Sequence, residues 1–201
     1  MRLAKFYDFL LKEEAFFREP FSIDDLHEIT ELEGVLEYVR SHSLKRLGSG
    51  ASRVAYAVDA KRILKIAQYD SAASENANEV RRIECLGSSY APIVYDYDRE
   101  KYLWILQERL QPMGGEALFD KIEGLIGYKF KDWVELKEFF AGIGSGYTDN
   151  RLLDELTAKS PWLKALADEI EGCAVGHHDF HDDNWGVRPA TGELVLLDLG
   201  F

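Results

Sequence analysis

Cysteine is scarce in this sequence: Cys85 and Cys173 are the only two in 201 residues. That excludes a disulfide-built scaffold, and no CxxC pair or Cys/His spacing suits structural zinc. One bridge is arithmetically possible, but a chain long enough for a solid core does not need it. The expectation is therefore two separate reduced thiols. Long apolar runs are missing as well; none reaches the roughly 18–20 residues of a membrane helix. The opening Met1-Arg2-Leu3-Ala4-Lys5-Phe6 soon meets Asp8, Glu13 and Glu14, so it lacks the apolar stretch of a signal peptide. The expectation is a cytoplasmic protein with no membrane partner. Positive charge is short too: 24 Lys and Arg against 36 Asp and Glu leave a net charge of −12. With no basic run beyond Arg81-Arg82, a duplex-binding surface is excluded, because phosphate neutralisation dominates such affinity.

What is present is the composition of a globular chain, 46% hydrophobic and 30% charged. The length allows one core or two small lobes around a cleft. Residues 1–40 read as helical. Leu3, Phe6, Leu10, Leu11 and Phe17 fall near one stripe, and Pro20 ends it. Ser22-Ile23-Asp24-Asp25 then caps a second helix that would bury Leu26, Ile29, Leu36 and Val39. This segment carries no catalytic signal and reads as an extension packed on the rest of the chain.

The period then changes. Leu44–Leu47, Val54–Val58 and Arg62–Ala67 are short apolar runs separated by Gly- or Asp-containing turns, a pattern that predicts consecutive antiparallel strands. A helix is predicted near 72–86, then strands at 93–97 and 102–106. Beyond Pro112 and the break Met113-Gly114-Gly115, helices are predicted near 116–124, 131–141 and 150–157. Another begins at Ser160-Pro161 and runs to about Glu171. A small hairpin, 185–187 with 193–198, closes the sequence.

Three constellations carry chemistry. Gly48-Ser49-Gly50 lies between two strands, where glycine lets backbone approach phosphate oxygens; a plain hairpin turn is the simpler explanation of that feature alone. Lys65 stands among Ile63, Leu64, Ile66 and Ala67 and needs solvent or an acid; Glu79 in the next helix can supply the acid, with Glu75 and Glu84 as competitors. The third is the most specific. His177-His178-Asp179-Phe180-His181-Asp182-Asp183-Asn184 precedes the hairpin, whose second strand leads to Asp198-Leu199-Gly200. Asn184 and Asp198 are hard oxygen donors suited to Mg²⁺. Asp179 is placed to orient or deprotonate a hydroxyl.

In this order the motifs resemble those of the protein-kinase-like superfamily, and more those of aminoglycoside phosphotransferases and small-molecule kinases than of eukaryotic protein kinases. His177, Asp179, His181 and Asn184 occupy the places of the H-x-D-x-x-x-x-N loop and its second histidine. The resemblance implies a bilobal α+β fold, with an antiparallel-sheet N-lobe, a short helical C-lobe and an N-terminal helical extension. It implies ATP and Mg²⁺ as cofactors, Asp179 as catalytic base, and Asn184 and Asp198 as metal ligands. Lys65 would meet the phosphates with Glu79 as its partner, and Gln107, Glu108 and Leu110 would belong to the hinge that reads adenine. Two departures stand out. Arg53 replaces the third glycine of the loop, and the sequence reaches Phe201 directly after the DLG segment, where the family continues with acceptor-positioning helices. The boundaries implied are 1–43 for the extension, 44–110 for one lobe and 111–201 for a truncated second lobe.

Three functions emerge as expectations. The first is a phosphotransferase acting on an unidentified hydroxyl. The second is a catalytically weak nucleotide-binding module that regulates, or is completed by, a protein partner. The third is a metal-dependent hydrolase built on residues 177–183; it leaves Gly48, Lys65 and Asp198 unexplained. His178, Asp182 and Asp183 are expected to be solvated, the four tryptophans to be packing residues, and Arg81-Arg82 to form an exposed helix face.

Overall fold

The computed structural model describes residues 20–87, 89–145, 150–173, 175 and 180–199. The helix expected before Pro20 lies outside them. Ser22 does cap a helix, accepting from the Asp25 amide at 3.2 Å, but that helix, α1 (Ile23–His27), is only one turn and a half. The chain breaks at Glu31, which is extended, and restarts as α2 (Leu32–Ser41). One helix was expected here. The β-branched pair Ile29-Thr30 weakens helix continuity at the break.

Five strands come next, in two stretches: β1 (Lys45–Ser49), β2 (Arg53–Ala57), β3 (Arg62–Ala67), β4 (Val94–Tyr97) and β5 (Trp104–Glu108). They form one antiparallel sheet in the order β1-β2-β3-β5-β4. Between β3 and β4 a short 3₁₀ turn leads into α3 (Ala73–Leu86). Strand alternation divides the sheet's faces. Leu64 and Ile66 of β3, with Trp104 and Leu106 of β5, join Leu26, Val35, Tyr38 and Val39 of α1 and α2 in one buried cluster. The extension therefore covers one sheet face, and the intervening residues Ile63 and Lys65 are left to the other.

A second cluster is built on α4 (Gly115–Ile126), α5 (Trp133–Ser145), α6 (Asn150–Lys159) and α7 (Pro161–Cys173). Ser160 caps α7 as expected, accepting from the Leu163 amide at 3.1 Å with Pro161 at the first helical position. The hairpin β7 (Trp185–Val187) and β8 (Leu194–Leu196) packs on these helices. A two-residue strand not foreseen from the sequence, β6 (Gln111–Pro112), adds to its edge. Phe140, Phe180 and Trp185 meet at ring-centroid distances between 5.1 and 6.1 Å and anchor the segment entering the hairpin. The architecture is mixed α/β and two-lobed, as expected.

The lobes are tied together behind the cleft. Arg188, after β7, bonds Glu108 of β5 at 3.1 and 3.2 Å and the Ala91 carbonyl at 2.8 Å. Cys85 and Cys173 are joined in a disulfide, contrary to the expectation of separate thiols. Their 88-residue separation gave no sign of proximity. The last turns of α3 and α7 pack side by side, and that contact brings the two Cα atoms to 5.5 Å.

Candidate functional site

A cleft of about 690 Å³ opens between the lobes. Its upper wall comes from the β1–β2 turn and the inner face of the sheet: Gly48, Gly50, Ala55, Ile63 and Lys65. Its rear comes from Glu108 to Pro112, and its floor from His181, Asp183, Asn184, Leu197 and Asp198. Ala55, Lys65 and Ile105 lie directly opposite one another across β2, β3 and β5. The small Ala55 leaves the space beside Lys65 open.

Lys65 is buried, and its Nζ donates to Glu79 Oε1 at 2.6 Å and to the Leu197 carbonyl at 3.0 Å. Glu79 is the partner, and not its competitors. Glu75 instead accepts from the Ser52 hydroxyl. Glu79 is fully buried on α3 with Ile83 and Leu86 on the same side, the residues whose spacing predicted that orientation. An ion in that position is tolerable only when paired and hydrogen-bonded.

Its pairing goes beyond the lysine. Arg53, 6% exposed, donates from one guanidinium nitrogen to Glu79 and from the other to Asp198. Burial by itself lowers the Arg53 pKa; Glu79, Asp198 and Glu75 together hold it above the ordinary value. The sequence marked Arg53 as a departure, but nothing in the spacing connects it to Asp198, 145 residues away. Arg53, Ser49, Gly50, Lys65 and Asp198 together line a smaller recess of about 120 Å³ under the β1–β2 turn.

On the floor, Asn184 is buried and its side-chain amide donates to the Asp198 carbonyl at 2.5 Å. The Leu197 amide returns a bond to the Asn184 carbonyl at 2.9 Å. The two expected oxygen donors are thus held near each other by one side-chain and one backbone bond across the end of the hairpin. Arg82 of α3 reaches the Leu199 carbonyl at 2.8 Å, so it is half-buried at the site and not on an exposed face.

The remaining expected residues divide between the cleft and its surroundings. Glu108 and Leu110 line the cleft, although the Glu108 carboxylate is committed to Arg188. Gln107 lies within β5, 1% exposed, and is not among the lining residues. Ser49 lines the smaller recess and accepts from Arg46 at 2.5 Å. Asp179, His177, His178, Gly200 and Phe201 lie outside the described residues. His181, Asp182 and Asp183 bring potential ligand atoms within 4.8 Å of one another, with both carboxylates exposed. Among the described residues, no helix is long and apolar enough to cross a membrane.

No protein-family model matches the sequence, and no curated protein matches it. Among solved structures it is similar to the GDP and kanamycin complex of APH(2'')-IIia. The identity is 14%, with 85% of this chain and 73% of that one covered and a TM-score of 0.42. The ADP-bound aminoglycoside phosphotransferase APH(2'')-Ib is 14% identical over 85% and 71% of the two chains, with a TM-score of 0.41. SAICAR synthase from Saccharomyces cerevisiae, complexed with SAICAR, is 13% identical over 85% and 75%, with a TM-score of 0.37. The chemistry of the cleft rests on this chain's own residues.

Proposed function

We propose that the chain binds Mg-ATP between its lobes and transfers the γ-phosphoryl group to a hydroxyl acceptor. The observation that carries this reading is the convergence of Lys65, paired to buried Glu79, with Asn184 and Asp198 on one cleft roofed by Gly48 and Gly50. Neither glycine has a positive φ, and a Cβ added to either meets no described atom within 4 Å. The fold does not demand glycine there, whereas a phosphate packed against the turn does.

In this reading the adenine lies against Leu47, Ile63 and Leu110, and the phosphates lie under the turn beside Lys65. Asn184 and Asp198 supply an amide oxygen and a carboxylate, the donor types Mg²⁺ favours, so the residues present suit it. Bound there, Mg²⁺ would neutralise polyphosphate charge. Lys65, held by Glu79 and the Leu197 carbonyl, keeps a fixed positive charge toward the phosphates without reorganising. The acceptor oxygen forms a bond to the γ-phosphorus as the bond to the bridging oxygen breaks and ADP leaves. The acceptor's proton passes to Asp179, whose role rests on the H-x-D-x-x-x-x-N resemblance.

The test is transfer or hydrolysis of labelled ATP by wild type and Asp179→Ala. The reading expects turnover to fall by about a hundredfold or more while ATP affinity is kept. Turnover unchanged in Asp179→Ala would sink the assigned role. ATP binding without any turnover, together with a stable protein partner, would favour the nucleotide-binding regulatory module.

A further inference from the structure

We propose that Arg53 is a built-in cation of the phosphate recess and makes nucleotide binding largely independent of divalent metal. The inference rests on the nucleotide reading above and concerns a residue that reading does not use. Among the described residues, Lys65 and Arg53 bond to Glu79 and Asp198 at the recess. Those four charges cancel, while Glu75, which also acts on Arg53, adds a further negative charge. Without Arg53 the set is one charge more negative facing the position of a polyphosphate, and a cation from solution is needed to offset that charge.

The guanidinium is suited to this task. Its planar fork donates to both carboxylates from separate nitrogens, a fixed geometry that a lysine ammonium does not offer. It is buried, so its charge is weakly screened, and the recess it lines also holds the glycine turn and Lys65. It sits on β2 directly after the turn, where Arg53 and Ala67 pair across β2 and β3. The turn itself is closed by the Gly50 amide on the Arg53 carbonyl at 2.9 Å. The residue that closes the turn by its backbone thus delivers a positive charge beneath it by its side chain. A divalent ion at Asp198 must share that carboxylate with the guanidinium or displace it.

The experiment is calorimetric titration of ADP into wild type, Arg53→Gln and Arg53→Lys, in EDTA and in saturating Mg²⁺. Wild type is expected to bind ADP within about threefold of the same affinity in both buffers. Arg53→Gln should lose about tenfold or more in EDTA and recover most of it in Mg²⁺. Arg53→Lys, which keeps one charge without the fork, should fall between them in EDTA and match wild type in Mg²⁺. Thermal unfolding of each variant confirms the fold, and the Lys variant carries the test if Gln does not fold. Equal losses in both buffers would show a purely structural Arg53 and overturn the proposal. So would a wild type that needs Mg²⁺ for binding, or a Gln variant unchanged in EDTA. No ADP binding by wild type in either buffer would overturn the nucleotide reading itself.

Discussion

Glu79 is fully buried and bonds two cations, Lys65 and Arg53, so its removal leaves buried Lys65 without a carboxylate partner and Arg53 bonded to Asp198 alone. Breaking a buried pair from one side costs about 3–5 kcal/mol. Glu79→Gln is expected to lose that much in urea unfolding, far more than a surface carboxylate would. Gly48 and Gly50 behave in the opposite way, because neither their backbone angles nor their surroundings require glycine. Gly48→Ala and Gly50→Ala should each leave stability within about 0.5 kcal/mol. Their nucleotide affinity should nevertheless fall by about tenfold, read by the same titrations. At this scale the Lys65–Glu79 pair was legible, since Glu79 shares a helix face with Ile83 and Leu86, which must be buried. The Arg53–Asp198 contact was not. It joins directly two residues 145 positions apart, and no periodicity encodes such a meeting.

Among the elements, the β2–β3 turn has its own electrostatic clamp. Asp59 accepts from the Lys61 and Arg62 amides at 2.7 and 2.8 Å and from the Arg62 guanidinium at 2.7 Å. Slight burial raises its pKa, but these bonds outweigh that and hold it below the ordinary carboxylate value. A carboxyl depressed in the folded state stabilises above its unfolded pKa, and that contribution disappears as pH falls through the depressed value. Asp59→Ala should therefore cost on the order of 1 kcal/mol at pH 7. The gap from wild type should close only in strongly acidic solution, below the ordinary carboxylate range. The disulfide acts on a larger span, fastening the end of α3 to the end of α7. Replacing Cys85 and Cys173 by Ser should lower unfolding free energy by about 2–4 kcal/mol, and reductant should do the same to wild type. Strand and helix order was readable from hydrophobic period and from Ser160-Pro161. The break between α1 and α2 and the edge strand β6 were not, because short elements are decided by packing and not by their own pattern.

In the whole molecule, two cores stand on either side of the cleft, and ties of different kinds cross between them. Arg188 holds Glu108 at the rear, Arg82 reaches Leu199, and the Glu79–Arg53–Asp198 chain runs through the site. A ligand in the cleft touches both lobes and should add to these ties. The two-lobed plan was expected from the resemblance that the order of motifs carries, while length alone left one core or two lobes open. The ties were not, since each joins residues far apart in sequence. The central claim is that this cleft binds a nucleotide, and thermal unfolding against increasing Mg-ATP tests it most directly. A ligand that binds only the folded state stabilises it by about 2.7 kcal/mol at a hundred times its dissociation constant. The account predicts a melting temperature that climbs with Mg-ATP concentration in wild type and climbs less in Lys65→Met. A melting temperature unmoved by any purine nucleotide with Mg²⁺ would contradict it.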